Sequence, residues 1–97
     1  MTSSRRPVVW PHVLRREVIP RLAERSGGRG SAGALRFAQI LLELDDWLRV
    51  TAEAVGESRT ALDVRVVLKE PVGVWYEIHA DPPVVLVMDV WLQGRRR

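Results

Sequence analysis

Few side chains in this chain could do chemistry, and the types that are missing are as informative as those present. Its 97 residues include no cysteine and only two histidines, His12 and His79. Disulfides and thiolate metal sites are excluded, and two lone histidines do not make a metal centre. No dinucleotide fingerprint and no Walker loop occurs, so the expectation is no cofactor and no metal. One stretch, Ser26-Gly27-Gly28-Arg29-Gly30-Ser31 with Gly33 beyond it, invites a phosphate cradle. A cradle needs a strand before it and either Lys-Ser/Thr or a set glycine spacing after it. Here the preceding pattern is helical and no lysine follows, so the stretch reads as a linker between helices.

The remaining chemical resource is charge. Lys and Arg number 15 against 12 Asp and Glu, giving +3. Five of the arginines sit at the ends: Arg5, Arg6, Arg95, Arg96 and Arg97. Without them the body of the chain, Pro7 to Gly94, carries a net −2, so the high isoelectric point describes two tails more than a basic folded surface. Glu43 to Glu57 holds five acids and a single base, Arg49, and would repel phosphate. The longest uncharged run falls well short of the ~20 apolar residues of a membrane span. Met1-Thr2-Ser3-Ser4-Arg5-Arg6 leads into no long apolar core, so no secretory signal is read. Both point to a cytoplasmic protein that does not enter a membrane.

The elements that position these groups follow from periodicity. The length suits one domain, with its core over about 7–92 and basic tails at 1–6 and 93–97. Arg6-Pro7-Val8-Val9-Trp10 reads as a short edge strand. Pro11 suits a helix start, and Leu14, Val18 and Leu22 define one helical face. Pro20 within that pattern predicts a kink or two short helices meeting near Ile19. Ala34 to about Val50 is the strongest helix, its stripe Phe37, Ile40, Leu41, Leu44, Trp47 and Leu48 facing the core.

Beyond Gly56 the period changes to two. Leu62, Val64, Val66 and Leu68 are expected to face the helices, with Arg65, Val67 and Lys69 on the other side. Pro71-Val72-Gly73 reads as a turn. Val74, Tyr76 and Ile78 then alternate with Trp75, Glu77 and His79. After a second turn at Asp81-Pro82-Pro83, Val84, Leu86, Met88, Val90 and Leu92 alternate with Val85, Val87, Asp89 and Trp91. The fold class is α+β in the order β-α-α-β-β-β, a helical hairpin on one face of an antiparallel sheet. The uncovered face is expected to mix Arg65, Lys69, Trp75, His79 and Trp91. Arg65 on it could pair with Glu77 across the meander.

Four stretches of this meander together resemble the C-terminal half of RelE/ParE-type toxins. They are Gly56-Glu57-Ser58-Arg59, Val64-Arg65-Val66-Val67, Trp75-Tyr76-Glu77-Ile78-His79-Ala80-Asp81 and Val84-Val85-Leu86-Val87. The element order is similar as well. The resemblance implies the toxin, or a toxin-like member, of a type II toxin–antitoxin pair, bound by a cognate antitoxin and directed at DNA gyrase or at mRNA on the ribosome. For an mRNA-cutting member, a metal-independent endoribonuclease, it implies Arg65 for phosphate, Lys69 for charge or proton transfer, and Tyr76 or His79 for acid–base work. Arg59, Trp75, Trp91, Arg95, Arg96 and Arg97 would then bind nucleic acid or target. Val90-Trp91-Leu92-Gln93-Gly94 stands where typical members carry His-Arg and a later Tyr, and the chain has one lysine. That composition favours a member that acts by binding. A non-toxic interaction module using the open sheet face is the remaining alternative. Tyr76 falls by parity on the Val74/Ile78 side, which favours a core role for it, and His79 near a strand end favours a plain surface role.

Overall fold

The computed structural model describes residues 6–55, 57–58 and 64–93. Strand β1 (Val8–Val9) is followed by a π-helical turn over Leu14–Val18 that runs directly into helix α1 (Ile19–Arg25). The two helical pieces join where the sequence predicts a break. Pro20 has no N–H to give and its ring crowds the preceding turn. The wider turn, with the Ile19 N–H bonded back to the Leu14 carbonyl, accommodates it.

Helix α2 (Ala32–Val55) is 24 residues long and outruns the expected Val50 end. Ser31 caps it. Its hydroxyl accepts from the Ala34 N–H at 3.0 Å and donates to the Gly28 carbonyl at 2.7 Å. Gly28 and Gly30 hold φ of 84° and 79°, a left-handed backbone that closes the linker between the helices.

Strands β2 (Glu57–Ser58), β3 (Val64–Lys69), β4 (Val72–Ala80) and β5 (Pro83–Leu92) complete a five-stranded sheet in the order β1-β5-β4-β3-β2. β1 runs parallel to β5, and every other pair is antiparallel. The short β2 extends the expected element order by one strand. Both helices lie on one side of the sheet. Leu14, Leu22, Phe37, Ile40, Leu44 and Leu48 close on Val67, Val74, Tyr76, Val85 and Val87. The start of the chain is tied to α2 as well. The Arg6 N–H donates to the Arg49 carbonyl at 2.8 Å, and Asp45 accepts from both Trp10 Nε1 and Arg49, each at 2.8 Å.

The structure corrects the expected phase of two strands. The β3–β4 turn is Glu70–Pro71, two residues long, and the ladder pairs Lys69 with Val72, Val67 with Val74 and Arg65 with Tyr76. The expected turn at Pro71–Gly73 would set Glu70 opposite Val74, where the ladder has Val67, and an odd-numbered slip turns every side chain over. Val67 is therefore buried, Leu68 is 45% exposed, and Arg65 and Lys69 stand on the helix side rather than on the open face. Leu62 lies outside the described residues.

In β5 a bulge interrupts the alternation. Trp75 pairs with Asp89 but Tyr76 pairs with Val87, leaving Met88 as the extra residue. Val90 and Leu92 keep the expected side. Val85 and Val87 enter the core, and Val84 and Leu86 turn to the open face.

Candidate functional site

The open side of the sheet is built from alternate positions of four strands. β3 supplies Val64, Val66 and Leu68, β4 supplies Gly73, Trp75, Glu77 and His79, and β5 supplies Val84, Leu86, Asp89 and Trp91. Val9 of β1 joins beside Leu86. No described element covers this surface. It is apolar for the most part: Leu68, Trp75, Met88 and Val9 are each 40–45% exposed. Its described charges are Glu77, Asp89 and His79, and among the described residues it carries no Lys and no Arg.

Gly73 shapes the centre of this face. It pairs with Trp91 across the ladder, and a Cβ built on it would fall 2.3 Å from the indole ring. The Trp91 ring therefore lies flat over the Gly73 backbone, covering a position where any side chain would lift it. Trp75 stands two positions along the same strand, between Val66 and Asp89. Two indoles, Val66 and Leu68 form a continuous apolar centre with a polar end at Glu77 and His79. The His79 Nε2 and the Glu77 carboxylate are 3.0 Å apart.

Trp75, Trp91 and His79 occupy the face that alternation predicts for them. Tyr76 does not reach it. It is 0% exposed, and its hydroxyl donates to the Ala52 carbonyl of α2 at 2.6 Å. This is a core residue whose polar tip is bonded to a helix backbone, and the expected acid–base role has no access to a substrate.

Lys69 also points away from the open face. Its Nζ lies 3.1 Å from Glu43 Oε1 and 4.9 Å from the centre of the Trp47 ring, both on α2. Arg65 is half-buried beside Tyr76 on the same helix side. The pairing envisaged between Arg65 and Glu77 does not form, because Glu77 lies opposite Val64 with its side chain on the other face. The structure thus separates Arg65, Lys69 and Tyr76 from His79 by the thickness of the sheet. Arg59, Arg95, Arg96 and Arg97 lie outside the described residues. Among the described residues, no group of three or more acids and histidines could hold a metal, and no helix is long and apolar enough to cross a membrane.

Sequence reasoning missed Val64, Val66, Leu68, Val84 and Leu86 as members of the open face, and Gly73 as the seat of Trp91. The Glu70-Pro71 dipeptide was the available signal. With the turn placed there, the register brings Gly73 opposite Leu68 and fixes the phase of β3.

No protein-family model matches this chain, and no curated protein matches it in sequence. Among solved structures it is similar to a chain of the toxin–antitoxin complex RelBE2 from Mycobacterium tuberculosis. The TM-score is 0.68 at 16% identity, and the match covers 94% of both chains. The fold is RelE-like, and at this identity its sequence is divergent.

Proposed function

We propose that this chain is the toxin-type member of a type II toxin–antitoxin pair that works in the bacterial cytoplasm by binding its target rather than by cutting RNA, and is silenced by a cognate antitoxin. Its RelE-like fold and its likeness to a component of a toxin–antitoxin complex support the class. The observation that carries the mode of action is the open sheet face: apolar, centred on Trp75 and Trp91, and without Lys or Arg among the described residues. Aromatic side chains in an apolar patch anchor protein interfaces. An RNA-cutting surface needs cations facing the charge that builds on phosphate, and an acid and base within reach of it. Here Lys69 is engaged with Glu43 and Trp47, and the Tyr76 hydroxyl with Ala52.

Expression of the chain alone in a bacterial host tests this reading. Growth slows, translated mRNA stays intact, and Trp75→Ser relieves the effect. Purified protein added separately to gyrase supercoiling and to cell-free translation then identifies the target. Cleavage of translated mRNA that disappears in Arg65→Ala would replace binding with the endoribonuclease reading. Unchanged growth, with a stable partner complex, would leave the non-toxic interaction module.

A further inference from the structure

The side of α2 that turns away from the sheet carries the two most exposed large apolar side chains among the described residues, Leu42 at 70% and Leu35 at 64%. Exposed Ala38 lies between them. The spacing i, i+3, i+7 lines one seam of a helix, the pattern by which helices pair. Single exposed leucines need no explanation, but this pair has a hollow beside it. Between α2, the π-helical turn and the end of β1, a cavity of about 240 Å³ is lined by Trp10, Arg15, Ile19, Leu41, Leu42 and Asp45. Asp45 already accepts from Trp10 and Arg49, so its carboxylate is satisfied within the chain. The volume is below the roughly 300–1,000 Å³ of ligand clefts. It suits an aliphatic side chain entering from outside.

Charge is divided along the same helix. From Ala32 to Leu42 its only charge is Arg36, whereas Glu43 to Arg49 holds three acids and one base. Asp46 is exposed and makes no ion pair among the described residues.

We propose that this surface pairs with a second copy of the chain. The two α2 helices run antiparallel about a two-fold axis near Ala38 and Gln39, and Leu35 of each copy seats in the hollow beside Leu42 of the other. One stretch of helix supplies both the knob and the hole, as a two-fold interface requires. Ala38 near the axis has only a methyl group and lets the helices approach. Reversal sets the half bearing Arg36 against the half bearing three acids, whereas a parallel pair would stack acid on acid. The same acids repel phosphate, which disfavours a nucleic acid as occupant. One helix pair buries less than the ~1,200–2,000 Å² of a stable interface, so association is weak and concentration-dependent. The helices lie across the sheet from Trp75 and Trp91, so pairing leaves both open faces outward and the dimer presents two of them.

The chain has no cysteine, so single substitutions give unambiguous cross-link probes. Under oxidising conditions, Leu35→Cys mixed with Leu42→Cys is expected to form a linked dimer several-fold faster than either variant alone. Met88→Cys, on the open face, is expected to form none. Sedimentation velocity of the full chain from about 1 μM to about 1 mM, the span of weak association, should show monomer passing to dimer. Leu35→Glu should weaken this by about tenfold or more, because the two-fold repeats the substitution. Leu35 is exposed, so the variant keeps its fold, and an unchanged thermal melt checks this. The inference is overturned if the chain stays monomeric throughout the range or if Leu35→Glu associates equally well. Faster linking of Leu35→Cys to itself would mean a parallel pair, and linking through Met88→Cys a dimer of open faces; either overturns it. So does a monomer whose Leu35 and Leu42 methyl signals move on adding a short RNA or an acidic helical peptide but not with its own concentration, which would give the seam to that occupant.

Discussion

The two faces of this sheet are both apolar, yet they are apolar in different ways. The face under the helices is aliphatic and closed at its centre, with Arg65 and Lys69 of β3 toward its margin. Val72, Val74, Val85 and Val87 are each 0% exposed, and its one hydroxyl, on Tyr76, is bonded to the helix backbone. The open face is aromatic at its centre, has a glycine under one indole, and its described charges are acidic or histidine, with Asp89 beside Trp75 and Glu77 and His79 toward one end. A face built for the fold buries uniform shapes against the helices. A face built for a partner keeps large flat side chains half in water and accepts the cost of leaving them there.

The largest effect expected from breaking this contrast comes from matched truncations. Leu44→Ala on the covered side should cost about 2–5 kcal/mol, the usual penalty for a core cavity. Trp75→Ser on the open side should change stability by no more than about 0.5–1 kcal/mol, as surface substitutions do, while abolishing the effect on growth. Urea melts of the two variants read the difference. A Trp75→Ser protein that melts as early as Leu44→Ala would mean that the open face is packed in the folded molecule.

A smaller effect tests how the open face is shaped. Gly73→Ala drives a methyl into the Trp91 indole, and overpacking of this kind costs about 1–3 kcal/mol. Trp91→Ala removes the obstruction, so the double variant should recover part of that loss, with a coupling of about 1 kcal/mol in a double-mutant cycle. Additive losses would show that the ring does not rest on Gly73.

How far the sequence alone could have shown this contrast depended on register more than on composition. The long helix and most of its stripe, the break at Pro20 and the strand meander were legible, because periods of 3.6 and 2 survive in the residue types; Trp47, expected in the core, is instead 38% exposed with Lys69 over its ring. The α+β class followed from their order. The phase of β3 was not legible by counting apolar residues, since Val64, Val66 and Leu68 outnumber Val67. Lys69 reaches the helix side on a long apolar stem and puts its charge on Glu43 and Trp47, so a charged residue need not mark the wet face. The bulge at Met88 has no mark in residue type, and it reassigns Val84 to Val87. The residues read correctly onto the open face, Trp75, His79 and Trp91, lie on β4 or beyond the bulge, where the assumed phase matched the ladder. Tyr76 was legible as core by its neighbours Val74 and Ile78.

The smallest expected effect on stability is also the sharpest discriminator between binding and catalysis. Lys69 is partly exposed and its partner Glu43 more so, with side-chain exposures of 28% and 45%. A pair in that setting contributes about 0–1 kcal/mol, and the ammonium over the Trp47 ring adds about 0.5–1 kcal/mol. Lys69→Met keeps the stem and removes the charge, so it should shift the urea midpoint only slightly and leave growth inhibition at the parental level. A general acid or base contributes about 100- to 10,000-fold to a rate. Were Lys69 such a group, the same variant would lose toxicity outright while staying folded. The outcome turns on the side of the sheet from which Lys69 projects. A residue held against α2 by Glu43 and Trp47 can be neutralised without the open face registering it, whereas a residue acting on a bound RNA cannot.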